Sequence, residues 1–217
     1  MTPQKPQDFA VEDSAENVAD WVRLHARQVG IGAIALVAVA AVLYFVRSSN
    51  ETKEMAAARA LTEAQRSVGT GNLPLAAADL QRLADRYGST RAGKEGRILL
   101  AQVQLQQGKV DSALTTLERV GSGGVLQASV HSLRAAALEQ QGKHAEAAAE
   151  YLKAASTTQL EAEGESFKSD AARAYLAAGN RAEAIKIWEA IGSNASSVLY
   201  NEAQLRLGEL TASTVRE

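Results

Sequence analysis

TGNLPLAAADL (70–80), QGKVDSALTTL (107–117), QGKHAEAAAEY (141–151) and AGNRAEAIKIW (178–188) are four versions of one pattern. Their glycines, Gly71, Gly108, Gly142 and Gly179, stand 37, 34 and 37 residues apart. Five residues after each glycine lies Ala76, Ala113, Ala147 or Ala184, and seven before it Ala64, Ala101, Ala135 or Ala172. Nine residues after each comes a large side chain, Leu80, Leu117, Tyr151 or Trp188. Alanine is 43 of 217 residues, so eight alanines in eight aligned positions are far from chance. Self-similarity at this period is the mark of a repeat architecture.

The pattern has a direct physical reading. A glycine between two helices takes the left-handed conformation that ends the first helix and turns the chain. Paired alanines let two antiparallel helices approach closely, and the large residue one turn later fills the space toward the next pair. Pro74 or Asp111 suits the start of a second helix. Each unit is then a hairpin that cannot bury its apolar face alone, so hairpins stack into a solenoid. Helices are expected near 52–69 and 74–87, 91–107 and 110–120, 125–141 and 144–156, and 164–178 and 181–191. A last helix near 196–210 would cap the stack.

Outward from the repeats, composition agrees. Alanine favours helix and is depleted in strands, so an all-α chain is expected. The sequence has no cysteine, which removes disulfides, thiol nucleophiles and zinc knuckles, and only three histidines. A net charge of -2 and a pI near 6.0 lack the basic footprint of a nucleic-acid binder. Beyond Asn50, 19 basic and 20 acidic residues leave the repeats close to neutral.

Residues 29–46, VGIGAIALVAVAAVLYFV, carry no charge and are flanked by Arg27 and Arg47. As a helix this stretch covers about 27 Å, close to the hydrocarbon thickness of a bilayer. Trp21, Tyr44 and Phe45 sit where interfacial aromatics belong. The preceding 28 residues are acidic and too long for a signal leader, and RSSNETKE follows in place of a small-residue cleavage site, so an uncleaved anchor is expected. Arg23 and Arg27 before it against Arg47, Lys53 and Arg59 after it do not decide the orientation. In the leader, Val11, Ala15, Val18, Trp21, Val22 and His25 recur at helical spacing, with Asp13 or Ser14 as a cap, after a flexible tail, MTPQKPQDF.

The expected fold is all-α: a single N-terminal transmembrane helix followed by an α-solenoid of helix hairpins. Its parts are an acidic tail and amphipathic helix (1–28), the span (29–46) and the repeats (50–217), with about four helix pairs and a capping helix. The spacing, turn glycine and paired small residues resemble the tetratricopeptide repeat. No proline closes a unit, and Tyr175 alone matches the tyrosines and tryptophan of that pattern. The whole arrangement resembles the YfgM-like family, ancillary subunits of the bacterial SecYEG translocon, over nearly the full chain. The resemblance is carried by AENVADWVRLHARQVGIGAIALV, by EMAAARA and by LAQVQLQQGKVDSALTTLERV. It implies a single-pass protein of the bacterial inner membrane, with a cytoplasmic amino terminus and periplasmic repeats that associate with translocon subunits and periplasmic chaperones.

No catalytic constellation is present in the sequence. His25, His131 and His144 lie on separate segments, and GSGG (121–124) lacks the lysine of a phosphate loop and reads as a flexible connection. Glu161, Glu163 and Glu165 fall on a polar connection and are expected to be solvated. The protein is read as a non-enzyme needing no cofactor and no metal. A solenoid offers its concave face, lined by the first helix of each unit. Positions 6, 3 and 2 before the glycines give Gln102, Leu105, Gln106, Ala136, Glu139, Gln140, Arg173 and Leu176 as the candidate protein-binding face. Capture of an acidic tail needs several cations, and only Arg173 is one, so a broad, weakly polar contact with a protein is favoured. Two functions fit: a translocon-associated adaptor handing over exported proteins, or a structural or assembly subunit of another membrane complex, respiratory, photosynthetic or envelope. Self-association through Gly32, Ala35, Ala38 and Ala41 is a third reading.

Overall fold

The computed structural model describes Trp21 and residues 23–212. Helices among them are α1 (Ala26–Gly69), α2 (Leu73–Tyr87), α3 (Arg91–Gln106), α4 (Val110–Glu118), α5 (Gln127–Gln140), α6 (His144–Thr157), α7 (Glu161–Ala177), α8 (Arg181–Gly192) and α9 (Tyr200–Ala212). No strand occurs among the described residues. The expected flexible tail, the caps Asp13 and Ser14, and Val11, Ala15, Val18 and Val22 of the leader helix lie outside them. The rings of Trp21 and His25 stack, 4.9 Å between centroids.

The chain divides into two compact units, Met1–Thr52 and Lys53–Glu217. Among the described residues one helix, α1, is long and apolar enough to cross a membrane, with a mean hydropathy of 2.6 over its best window. None of that window is buried inside the protein, which sets it apart from a core helix. Ile34, Leu36 and Val42 all point outward. The sequence suggests a break near residue 50, yet α1 is continuous. Residues 47–52, RSSNET, hold no helix breaker, and they add favourable pairs one turn apart: Arg47 Nε donates to Glu51 at 3.4 Å and Thr52 Oγ1 to the Ser48 carbonyl at 3.0 Å.

In the second unit the repeat register becomes geometry. Gly71, Gly108, Gly142 and Gly179 have φ of 74°, 71°, 73° and 78°, the left-handed region that glycine enters without steric cost. The residue after three of these glycines closes the preceding helix: the amides of Lys109, Lys143 and Asn180 donate to the carbonyls of Gln104, Leu138 and Tyr175 at 2.8–2.9 Å. All eight repeat alanines are fully buried, and Leu80, Leu117, Tyr151 and Trp188 are buried with them.

Four core clusters follow one another along the chain, each formed by a hairpin and the first helix of the next. Ala57, Leu61 and Ala64 of α1 meet Leu80 and Leu83 of α2 and Leu100 of α3. Ala101 of α3 then joins Ala113 and Leu117 of α4 and Val130 of α5. Ala135 of α5 packs with Ala147 and Tyr151 of α6 and Ala171 of α7. Ala172 of α7 closes on Ala184 and Trp188 of α8 and Ala203 of α9. Consecutive residues such as Leu100 and Ala101, or Ala171 and Ala172, therefore serve different clusters. A helix turns about 100° per residue, so neighbours in sequence face neighbouring units in the stack.

Three local expectations need correction. Helix α7 begins at Glu161 and not near 164, because carboxylates favour the positive amino end of a helix. The acidic trio is thus in the first turns of α7, and Glu165 is buried, accepting a hydrogen bond from Ser197 Oγ at 2.7 Å. Helix α9 starts at Tyr200 and not at 196. Asn194 and Ser197 side chains accept the amides of Ser196 and Leu199 at 3.1 and 3.0 Å, holding a turn where backbone helix bonds would form. Helix α5 starts at Gln127, two residues late, after a loop in which Gly121, Gly123 and Gly124 all have positive φ.

Candidate functional site

The eight residues of the candidate face divide by register. Leu105 lies four residues after the core alanine Ala101 and shares its inward face, so it is buried in the second cluster and presents no surface. Leu176, four after Ala172, is half-buried against the fourth cluster. Glu139, four after Ala135, is half-buried and accepts the Tyr151 hydroxyl at 3.0 Å. Burial first, then the Glu139 carboxylate, push the Tyr151 phenol well above its usual range. Ala136 packs half-buried on the second cluster. Exposed positions are Gln102, Gln106, Gln140 and Arg173. Gln140 Nε2 reaches the Leu105 carbonyl at 3.4 Å, joining α5 to α3, and the Arg173 guanidinium pairs with Asp170 one turn earlier. The outer face is thus neutral and amide-rich, and its one cation is already engaged.

Two long-range polar clamps hold the first helices of the hairpins in place, and neither carries a repeat signature. Glu54 of α1 accepts the amides of Arg91 and Ala92 at 2.9 and 2.8 Å, supplying acceptors to the open amino end of α3. Arg97 of α3 donates to the Gly88 and Ala84 carbonyls after α2 and within it, at 2.8 and 3.2 Å, and to the Arg119 carbonyl after α4 at 2.9 Å. One guanidinium fork therefore ties the carboxyl ends of two second helices to the first helix between them. Between α5 and α6, Glu150 bridges His131 Nδ1 at 2.7 Å and Lys153 Nζ at 2.6 Å. Burial raises the Glu150 carboxyl, but hydrogen bonds and charge from Lys153 and His131 outweigh it and leave it below its ordinary value.

Grooves run along the loops that join one hairpin to the next. One of about 460 Å³ is lined by Val125, Thr157, Gln159, Leu160 and Glu163. A neighbour of about 290 Å³ shares Gln159 and Leu160 and extends to Lys168 and Asn194. None of the eight predicted residues lines either groove. The sequence signal for this edge is an apolar residue stranded in a polar connection, as in GSGGVLQ and TTQLE.

A family model described as "Tetratricopeptide repeat-like domain" matches residues 37–171. No curated protein matches the sequence. Among solved structures, a Podosopora anserina protein described as a putative kinesin light chain with nearly identical TPR-like repeats superposes with a TM-score of 0.59. It is 19% identical, over 73% of this chain and 87% of that one. A single-residue variant of the same protein gives 0.58, again at 19% identity, over 73% and 86%. Likeness at this identity concerns the fold alone. Such repeats are typically non-catalytic interaction modules, and no catalytic family is indicated.

Proposed function

Because the chain belongs to the tetratricopeptide repeat-like family, whose domains generally bind proteins, we propose that it is a membrane-anchored protein-interaction scaffold ancillary to the bacterial Sec translocon. In this reading residues 29–46 cross the inner membrane once, the amino terminus is cytoplasmic, and the repeats are periplasmic. There they contact translocon subunits and a periplasmic chaperone and hand over exported chains. The observation that supports the reading most directly is the pairing of a stacked-hairpin unit with an apolar helix that no protein surface covers. The translocon assignment itself draws on the likeness to YfgM-like proteins. The contact surface proposed is the exposed amide stripe of Gln102, Gln106 and Gln140 with Arg173, a broad and weakly polar face.

Affinity isolation in mild detergent tests the partner. Translocon subunits should copurify, and charge introduced by Gln102→Lys with Gln106→Lys should weaken their recovery. Stoichiometric recovery of a respiratory, photosynthetic or envelope complex, without translocon subunits, would replace this reading with that of a structural subunit. Topology is tested separately. A cysteine at the exposed Lys143, on a glycine turn, should react with an impermeant reagent in intact spheroplasts, and protection there would reverse the orientation.

A further inference from the structure

The repeat unit has two unlike edges. On one, the glycine turns present Asn72, Lys109, Lys143 and Asn180, all exposed and polar. On the other run the loops 88–90, 119–126, 158–160 and 193–199, the first three delivering the chain to the next hairpin and the last to α9. These loops carry Val125, Leu160 and Val198, exposed by 78%, 67% and 75%. They are the three most exposed large apolar side chains among the described residues of this unit. Their loops adjoin: Val125 and Leu160 line one groove, and Leu160 and Asn194 the next. Scattered exposed apolar residues need no explanation, but three in successive loops along one edge form a pattern.

The covalent path says what meets this edge. Glu54 lies on it, since its carboxylate holds the first amides of α3. Eight residues separate Glu54 from Val46, the end of the apolar stretch, a chain length of at most about 29 Å. Gly71, at the polar edge, is seventeen residues further on. We propose that Val125, Leu160 and Val198 insert into the headgroup layer of the bilayer that anchors the chain, so that this edge of the repeats rests on lipid. The inference depends on residues 29–46 being a membrane span. Lys94 borders Val125 and Lys168 borders Leu160, as suits lipid phosphates, but Glu161 lines the groove of Lys168 and Glu163 that of Val125 and Leu160. The contact therefore comes from apolar insertion and not from net charge. Three small side chains would bind a membrane weakly from solution. Tethering converts that into an intramolecular step, in which weak contacts are populated.

The chain has no cysteine, so single labels can be placed cleanly. Full-length protein carrying Val125→Cys, Leu160→Cys, Val198→Cys or, on the polar edge, Lys143→Cys would be labelled with an environment-sensitive fluorophore. It would be reconstituted in phosphatidylcholine vesicles containing phosphatidylglycerol. Labels on the apolar edge should be quenched by doxyl lipids and be about threefold less accessible to iodide than the Lys143 label. Because a fluorophore is itself apolar, a reporter at Gln159→Cys should also be shielded. It should become iodide-accessible when Val125, Leu160 and Val198 are all replaced by serine, with helicity unchanged. Equal iodide access at both edges would overturn the proposal, as would shielding that appears only on adding a protein partner. Vesicle flotation separates the two readings: protein that floats with exposed loops refutes the lipid contact alone, and protein that fails to float refutes the anchor as well.

Discussion

A β-carbon added at Gly93 would lie 1.9 Å from the carbonyl oxygen of Tyr87, and one at Gly96 would lie 2.4 Å from Leu83 Cδ2. These two glycines of α3 let it close on α2, and neither belongs to the repeat pattern. Gly93→Ala must push backbone against backbone in a buried site and should cost about 3 kcal/mol in urea unfolding. Gly142→Ala meets open space and is limited by its φ of 73°, so about 1 kcal/mol is expected. Equal losses would contradict this division. At Glu150 the sign of the pH effect follows from its depressed carboxyl. Its contribution is complete above the ordinary carboxylate value and is lost as pH falls through that region toward the lower folded value. Unfolding midpoints should therefore drop between about pH 5 and pH 3, and Glu150→Gln, costing about 1 kcal/mol at neutral pH, should flatten that drop.

Between elements, most of the adhesion is apolar, but the clamps set which helix end sits where. Arg97→Met would leave the carbonyls of Ala84, Gly88 and Arg119 without their charged donor. A loss of about 2 kcal/mol is expected, and Arg97→Lys should recover little, because a single ammonium cannot span the forked geometry. Full recovery by lysine would show that charge, not the fork, matters. Glu54→Ala removes an acceptor for two amides of α3 and should cost about 1 kcal/mol, with hydrogen exchange rising first at Arg91 and Ala92. Neither clamp can be read from periodicity, since neither Arg97 nor Glu54 belongs to the repeated glycine, alanine and large-residue positions.

At the scale of the molecule the repeat unit is a linear stack, so its ends are its weak points. Helix α9 covers Trp188, which is fully buried beside Ala203, Leu199 and Leu207. Ending the chain at Ser193 in a Trp21→Phe background should shift Trp188 emission to the red and free α8 to fray, while α2 to α5 stay protected from exchange. A blue emission in that truncation would mean that α8 needs no cap. The four glycine turns, the eight buried alanines and the apolar helix were all legible in the sequence, because periodicity and local conformational preference depend on near neighbours alone. Three of the eight candidate-face residues were not: Leu105, Glu139 and Leu176 share the inward register of the core alanines, which a fixed offset from the glycine does not reveal. Glu165 likewise reads as solvated until Ser197, 32 residues away, is seen to meet it. By itself the sequence determined the hairpin unit, its repetition and the absence of protein cover that an uncharged stretch demands. Only the tertiary structure decided which face of each helix remains for a partner and which loops share an edge. Those depend on contacts between residues tens of positions apart, whose geometry is set by how closely one helix packs on the next.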